Sequence, residues 1–168
     1  MGIKLSVPSA DLFARDTANR NRANHTGTQP WNTITGTPTT LAGYGITDPI
    51  PYSVIVACSG TSQALTFGTA KETFRAERAF TLTGVRASLT TAATGSTVIV
   101  DINLNGVSVL GTKLSIDASE LTSVTAASAA TIVTSAIPSD GQITIDIDQV
   151  GATTPGTGLK VALLGTLV

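Results

Sequence analysis

The chain has 168 residues, of which 42% are hydrophobic and 12% charged, with a formal net charge of −1; the aliphatic content is ample for one sizeable core plus a short appendage. So few charges exclude a polybasic surface for nucleic acid or anionic lipid. No apolar run reaches signal-peptide length or the roughly eighteen residues of a membrane span, so the expectation is a soluble protein made in a cytoplasm, without membrane insertion.

Residues 1–23 hold one stretch with helical signals. Ser9 follows Pro8 as an N-cap, and Asp11 precedes Arg15 as Asp16 precedes Arg20 and Arg22, the order of acids and bases a helix dipole favours. Leu5, Val7, Leu12 and Phe13 have little of their own domain to pack on, which suits an anchor that docks on another protein. A frayed terminus is the alternative.

Residues 24–51 are dense in Thr, Gly and Pro, with isolated apolar side chains at Trp31, Ile34, Leu41, Tyr44 and Ile46. One copy of such a segment cannot bury these side chains; several copies wound about a common axis can. Gly36, Gly43 and Gly45 permit close backbone approach, and Pro30 and Pro38 oppose helix. His25 joins the same set of interchain candidates. A flexible linker is the other reading of this composition. Asp48-Pro49-Ile50-Pro51 closes the segment as an interdomain joint.

The residues Asn24-His25-Thr26-Gly27-Thr28-Gln29 and Thr37-Pro38-Thr39-Thr40-Leu41-Ala42-Gly43-Tyr44-Gly45-Ile46-Thr47-Asp48 resemble the HTGTQ and TPTTLAGYGITD segments of tailed-bacteriophage fibres and spikes. The resemblance implies a homotrimer on a virus particle, attached to other virion proteins through its N-terminus and facing outward with its C-terminal domain, often toward a cell-surface glycan. Only about two dozen residues precede the motif, far fewer than a large tail-attachment domain. A short fibre, a head fibre or spike, or a small decoration protein is therefore favoured over a long tail fibre.

From residue 52 to residue 168 the pattern turns to strands. The expected strands are 53–58, 72–76, 80–90, 98–104, 107–110, 113–117, 130–135, 142–148 and 159–167, each rich in Val, Ile and Thr and bounded by turn residues. Alternation is strictest at Val98-Ile99-Val100-Asp101-Ile102-Asn103-Leu104 and at Ile143-Thr144-Ile145-Asp146-Ile147-Asp148, which turn aliphatic side chains inward and Asp101, Asn103, Asp146 and Asp148 outward. Asn105-Gly106 predicts a type I′ hairpin into Val107. Residues 120–130 suit either a helical turn or a loop. The expected fold class is all-β: an extended intertwined N-terminal shaft followed by a jelly-roll-like antiparallel sandwich. The runs Thr69-Ala70-Lys71-Glu72-Thr73-Phe74-Arg75 and Leu82-Thr83-Gly84-Val85-Arg86 also look like the small C-terminal β domains of phage surface proteins.

Chemistry-bearing residues are sparse. His25 is the single histidine and lies in the shaft segment, without a nearby core to orient a catalytic triad. Three copies of His25 on a three-fold axis would supply three metal ligands, but a packing or hydrogen-bonding role is favoured. Asp101, Asp146 and Asp148 read as solvated strand faces rather than a glycosidase pair, and no loop has calcium-motif spacing. No enzyme, cofactor or metal site is expected. Cys58 is the single cysteine, which forbids an intrachain disulfide; its strand context reads as a small buried hydrophobe.

A host-surface polysaccharide, which the resemblance implies, would meet few aromatic platforms. The β domain lacks Trp, and Phe67, Phe74 and Phe80 are expected in the core. Asn103, Asn105, Gln142, Asp146, Asp148 and Gln149 remain as polar candidates for sugar edges.

Overall fold

Short β-rich runs separated by turn residues leave backbone groups that neighbouring strands satisfy, and the computed structural model, which describes residues 42–45 and 49–168, pairs these runs into antiparallel sheets. The chain divides into Met1–Thr47 and Asp48–Val168. Of the first unit, Ala42–Tyr44 forms one 3-10 turn and Tyr44 is half exposed. The expected anchor residues Leu5, Val7, Leu12 and Phe13, and the shaft residues His25, Trp31, Ile34, Leu41 and Ile46, lie outside the described residues.

The second unit is all-β and antiparallel. Its strands in chain order are β1 (Pro51–Ala57), β2 (Gly68–Arg75), β3 (Phe80–Ser88), β4 (Val98–Leu104), β5 (Val107–Ser108), β6 (Leu110–Thr112), β7 (Leu114–Ile116), β8 (Thr131–Ile132), β9 (Ala136–Ile137), β10 (Gln142–Gln149) and β11 (Lys160–Leu167). One sheet has the order β1-β11-β3-β9. A second has the order β2-β10-β4-β5 with β7 also on β4, and β6 pairs β8 separately. Among the described residues there is no α-helix, and no helix long and apolar enough to cross a membrane.

The alternation expected in β4 and β10 is what fills the core. Val98, Val100, Ile102, Ile143, Ile145 and Ile147 are all 1% exposed or less, as are Phe80, Val161 and Leu163 from the other sheet and Leu159 just ahead of β11, and all belong to one hydrophobic cluster. Each such side chain contributes on the order of 2 kcal/mol relative to exposure. The Asn105-Gly106 turn forms as expected: both residues have positive φ, 50° and 84°, and Leu104 faces Val107 across it.

Two departures from simple alternation matter. In β3, Leu164 faces Gly84 but Gly165 faces Leu82, so Thr83 is an extra residue. This bulge switches the inward positions from Phe80 and Leu82 to Ala87. Beside it Gly165 is obligatory, since a Cβ there would stand 2.3 Å from the Thr81 carbonyl oxygen. In β10 the pairing with β2 shifts between Ile145 and Ile147. The Asp146 carboxylate then accepts the Ala70 N–H at 2.7 Å, holding Ala70 at a φ of 49° and starting β2 four residues ahead of the expected strand. Residues 120–130 resolve into a loop with one 3-10 turn, Ser123–Thr125, whose N-cap Thr122 accepts from Val124 N.

Candidate functional site

Four charged side chains, Asp101, Lys113, Asp146 and Asp148, meet on the face of β4 and β10 turned away from the core. Pleating places Asp101 directly opposite Asp146, an arrangement of like charges that is unfavourable unless each carboxylate finds its own donors. Both do. Asp101 accepts from the Ser108 hydroxyl at 2.6 Å and pairs with Lys113 Nζ at 3.1 Å, while Asp146 accepts from Ala70 N and, at 3.0 Å, from Asn103 Nδ2. Lys113 also meets Asp148 at 2.7 Å. Its ammonium is held protonated to higher pH than usual, first by the hydrogen bond to Asp148 and then by that to Asp101. Among the described residues no buried side-chain nitrogen or oxygen lacks a partner.

This corrects one expectation. Asp101 and Asn103 do not stand on an open, solvated face: they are 5% and 9% exposed. Alternation identifies the face opposite the core, but the return of the chain through Ser108 and Lys113 covers it.

The six polar candidates do not converge. Asn103 and Asp146 bond to each other, and Asp148 is tied to Lys113. Asn105 and Gln142 sit together at the hairpin end, with Gln142 N donating to Asn105 Oδ1 at 3.1 Å. Gln149 lies at the other end of β10, roughly 24 Å away at strand rise, and donates through Nε2 to the Thr97 carbonyl.

Two clefts were not anticipated. One, of about 380 Å³, opens between the edge strands β1 and β2 and is lined by Tyr52, Val54, Phe74, Phe80, Arg75 and Glu77. Its size falls within the range of small-ligand sites. The Tyr52 and Phe80 rings lie 4.9 Å apart at 47°, and Arg75 at the rim reaches Asp140 at 3.3 Å through two exposed side chains, a contact worth little in water. The second cleft, of about 270 Å³, lies over β1, β11 and β3, among Ile55, Ala162, Arg86, Val124, Thr122 and Lys160. Phe80 is a core residue as expected, but Phe74 is only half-buried and Phe67, expected inside, is 75% exposed. The aromatic spacing was visible in the sequence; the gap between two sheet edges was not.

Cys58 is buried, and its thiol is pushed up to about 12, first by burial and then by the charge of Glu72. At neutral pH it is a thiol rather than a nucleophilic thiolate. No group of three or more His, Cys, Asp or Glu among the described residues could hold a metal ion. Comparison with protein-family models, with curated proteins and with solved structures found no match.

Proposed function

We propose that this chain is a virion structural protein, a short homotrimeric fibre or spike on a phage or phage-like particle that mediates attachment to the host cell surface through a glycan. Residues 1–23 anchor it to other virion proteins, 24–51 form the trimerising shaft and 52–168 form the exposed head. The observation that carries the reading is the strand order behind the fibre-like motif. β1, β3, β9 and β11 lie in one sheet and β2, β4, β5 and β10 in the other, so β1 to β4 alternate between sheets, while β10 pairs with β4 in the second sheet and β11 returns to the first. That alternation supports a jelly-roll sandwich, an architecture used in viral coat and lectin domains. The exposed Tyr44, at 50%, supports a shaft that needs partner chains to cover it.

A second reading, a decoration or connector protein without a receptor, draws support from the β4–β10 face. There the carboxylates and Asn103 already spend their hydrogen bonds on one another and on Lys113, leaving few groups for a sugar. Immunogold labelling of particles with antibody to the β domain tests the common premise: label on the particle surface is expected, and unlabelled particles would refute both readings. Adsorption of the purified full chain to host cells, lost after removal of surface polysaccharide, separates the first from the second.

A further inference from the structure

We infer that the outer face of β1, β11 and β3, with the free edge of β1, is the surface on which copies of this chain pack against one another; the inference rests on the fibre reading above and locates its head-domain interface. The starting point is β1, Pro-Tyr-Ser-Val-Ile-Val-Ala. It is seven residues long, carries no charge, and pairs with β11 in an unbroken register. Exposed edges are normally protected by charges, bulges or internal proline, and β1 has only Pro51 at its first position.

Parity identifies the groups left open. Cys58 N donates to the Leu159 carbonyl and Leu167 N to the Ile50 carbonyl, so even-numbered residues of β1 bond to β11. The N–H and C=O groups of Ser53, Ile55 and Ala57 point to the free edge, and no other described backbone group bonds to them. Their side chains are the exposed ones of the strand. Ile55, 69% exposed, faces Ala162, and Ser53 faces Leu164, giving an uncharged, largely apolar surface. Arg86 and Lys160 are the charges that β1, β11 and β3 bring to this face, and both line the cleft beside Ile55.

The occupant is a second copy of this chain because of what precedes β1. The undescribed residues end at Asp48, three positions before the strand begins. Three residues span at most about 10 Å, so copies joined through the shaft hold their β1 strands close together at high effective concentration. Three strands of this length present roughly 400 Å² in projection, about half of what one partner contributes to a standard interface. The face therefore adds to the shaft rather than replacing it.

The test uses the full-length protein, with Ile55→Asp on this face and Val107→Asp as a control. Val107 is equally exposed, at 70%, but belongs to the β4–β5 hairpin. Light scattering across a dilution series should show Ile55→Asp dissociating at a concentration at least about tenfold higher than wild type, with Val107→Asp unchanged. Equal behaviour of Ile55→Asp and wild type, or equal weakening by both substitutions, would overturn the interface. Hydrogen exchange on the unsubstituted protein gives an independent readout: slow exchange at Ser53, Ile55 and Ala57 is expected, and open-edge exchange in an intact oligomer overturns the assignment. A wild-type monomer at every concentration would instead remove the fibre reading itself.

Discussion

Replacing Asp101 by Ala should destabilise the β domain more than any other single change on its polar face. The residue is 5% exposed, and its carboxylate holds the Ser108 hydroxyl at 2.6 Å and Lys113 Nζ at 3.1 Å. Hydrogen bonds to a charged group contribute about 1.5–3 kcal/mol each. The Lys113 bond is discounted because that side chain is 46% exposed and keeps Asp148 as a partner. Ser108 likewise retains the Leu110 carbonyl as an acceptor. The expected loss is about 3 kcal/mol, or roughly 10 °C in Tm for a domain of this size. Asp101→Asn, which keeps an acceptor for Ser108, should lose about half of that. Urea unfolding followed by far-UV circular dichroism reads both. A loss below about 0.5 kcal/mol for Asp101→Ala would refute the reasoning, because it would mean that the buried carboxylate contributes no more than an exposed one. The pH dependence carries a sign. Lys113 has its pKa raised above 10.5 in the folded protein, so its contribution is complete below that value and fades as pH rises through the higher folded one. Wild type and Lys113→Met should converge in stability there.

Gly165→Ala should cost about 3 kcal/mol or prevent folding, since the added methyl would stand 2.3 Å from the Thr81 carbonyl oxygen; the midpoint of urea unfolding checks it. Gly106→Ala meets no neighbour within 4 Å but must hold a φ of +84°, so a loss of about 1 kcal/mol is expected by the same assay. Cys58 should resist a thiol reagent in the folded protein and react on denaturation. Because its pKa moves from 9.0 to about 12 on folding, the unfolded chain releases the proton first, and stability should fall as pH rises through that window.

Strands with one apolar face were readable from the sequence because pleating converts period-two alternation directly into burial; β4, β10 and the Asn105-Gly106 turn follow from it. What local pattern does not carry is the long-range contact. The bulge at Thr83 and Gly84 reverses which residues of β3 face inward, and the start of β2 depends on Asp146, 76 residues from the Ala70 N–H it binds. The two-residue strand β9 has no alternation to read. The candidate site was the least legible part. Alternation alone points Asp101 and Asn103 to water, because local pattern does not carry the return of residues 108–113 over them. The cleft at Tyr52, Phe74 and Phe80 arises where two sheet edges fail to close, a property of the assembled sheets rather than of any segment.

On the fibre reading proposed above, the working form of this chain is a trimer. Light scattering of the full-length protein should give the mass of three copies of a 17.0 kDa chain. A mass of 17.0 kDa at every concentration would contradict the trimer, leaving residues 24–51 as a linker and the face of β1 without the copy proposed to cover it.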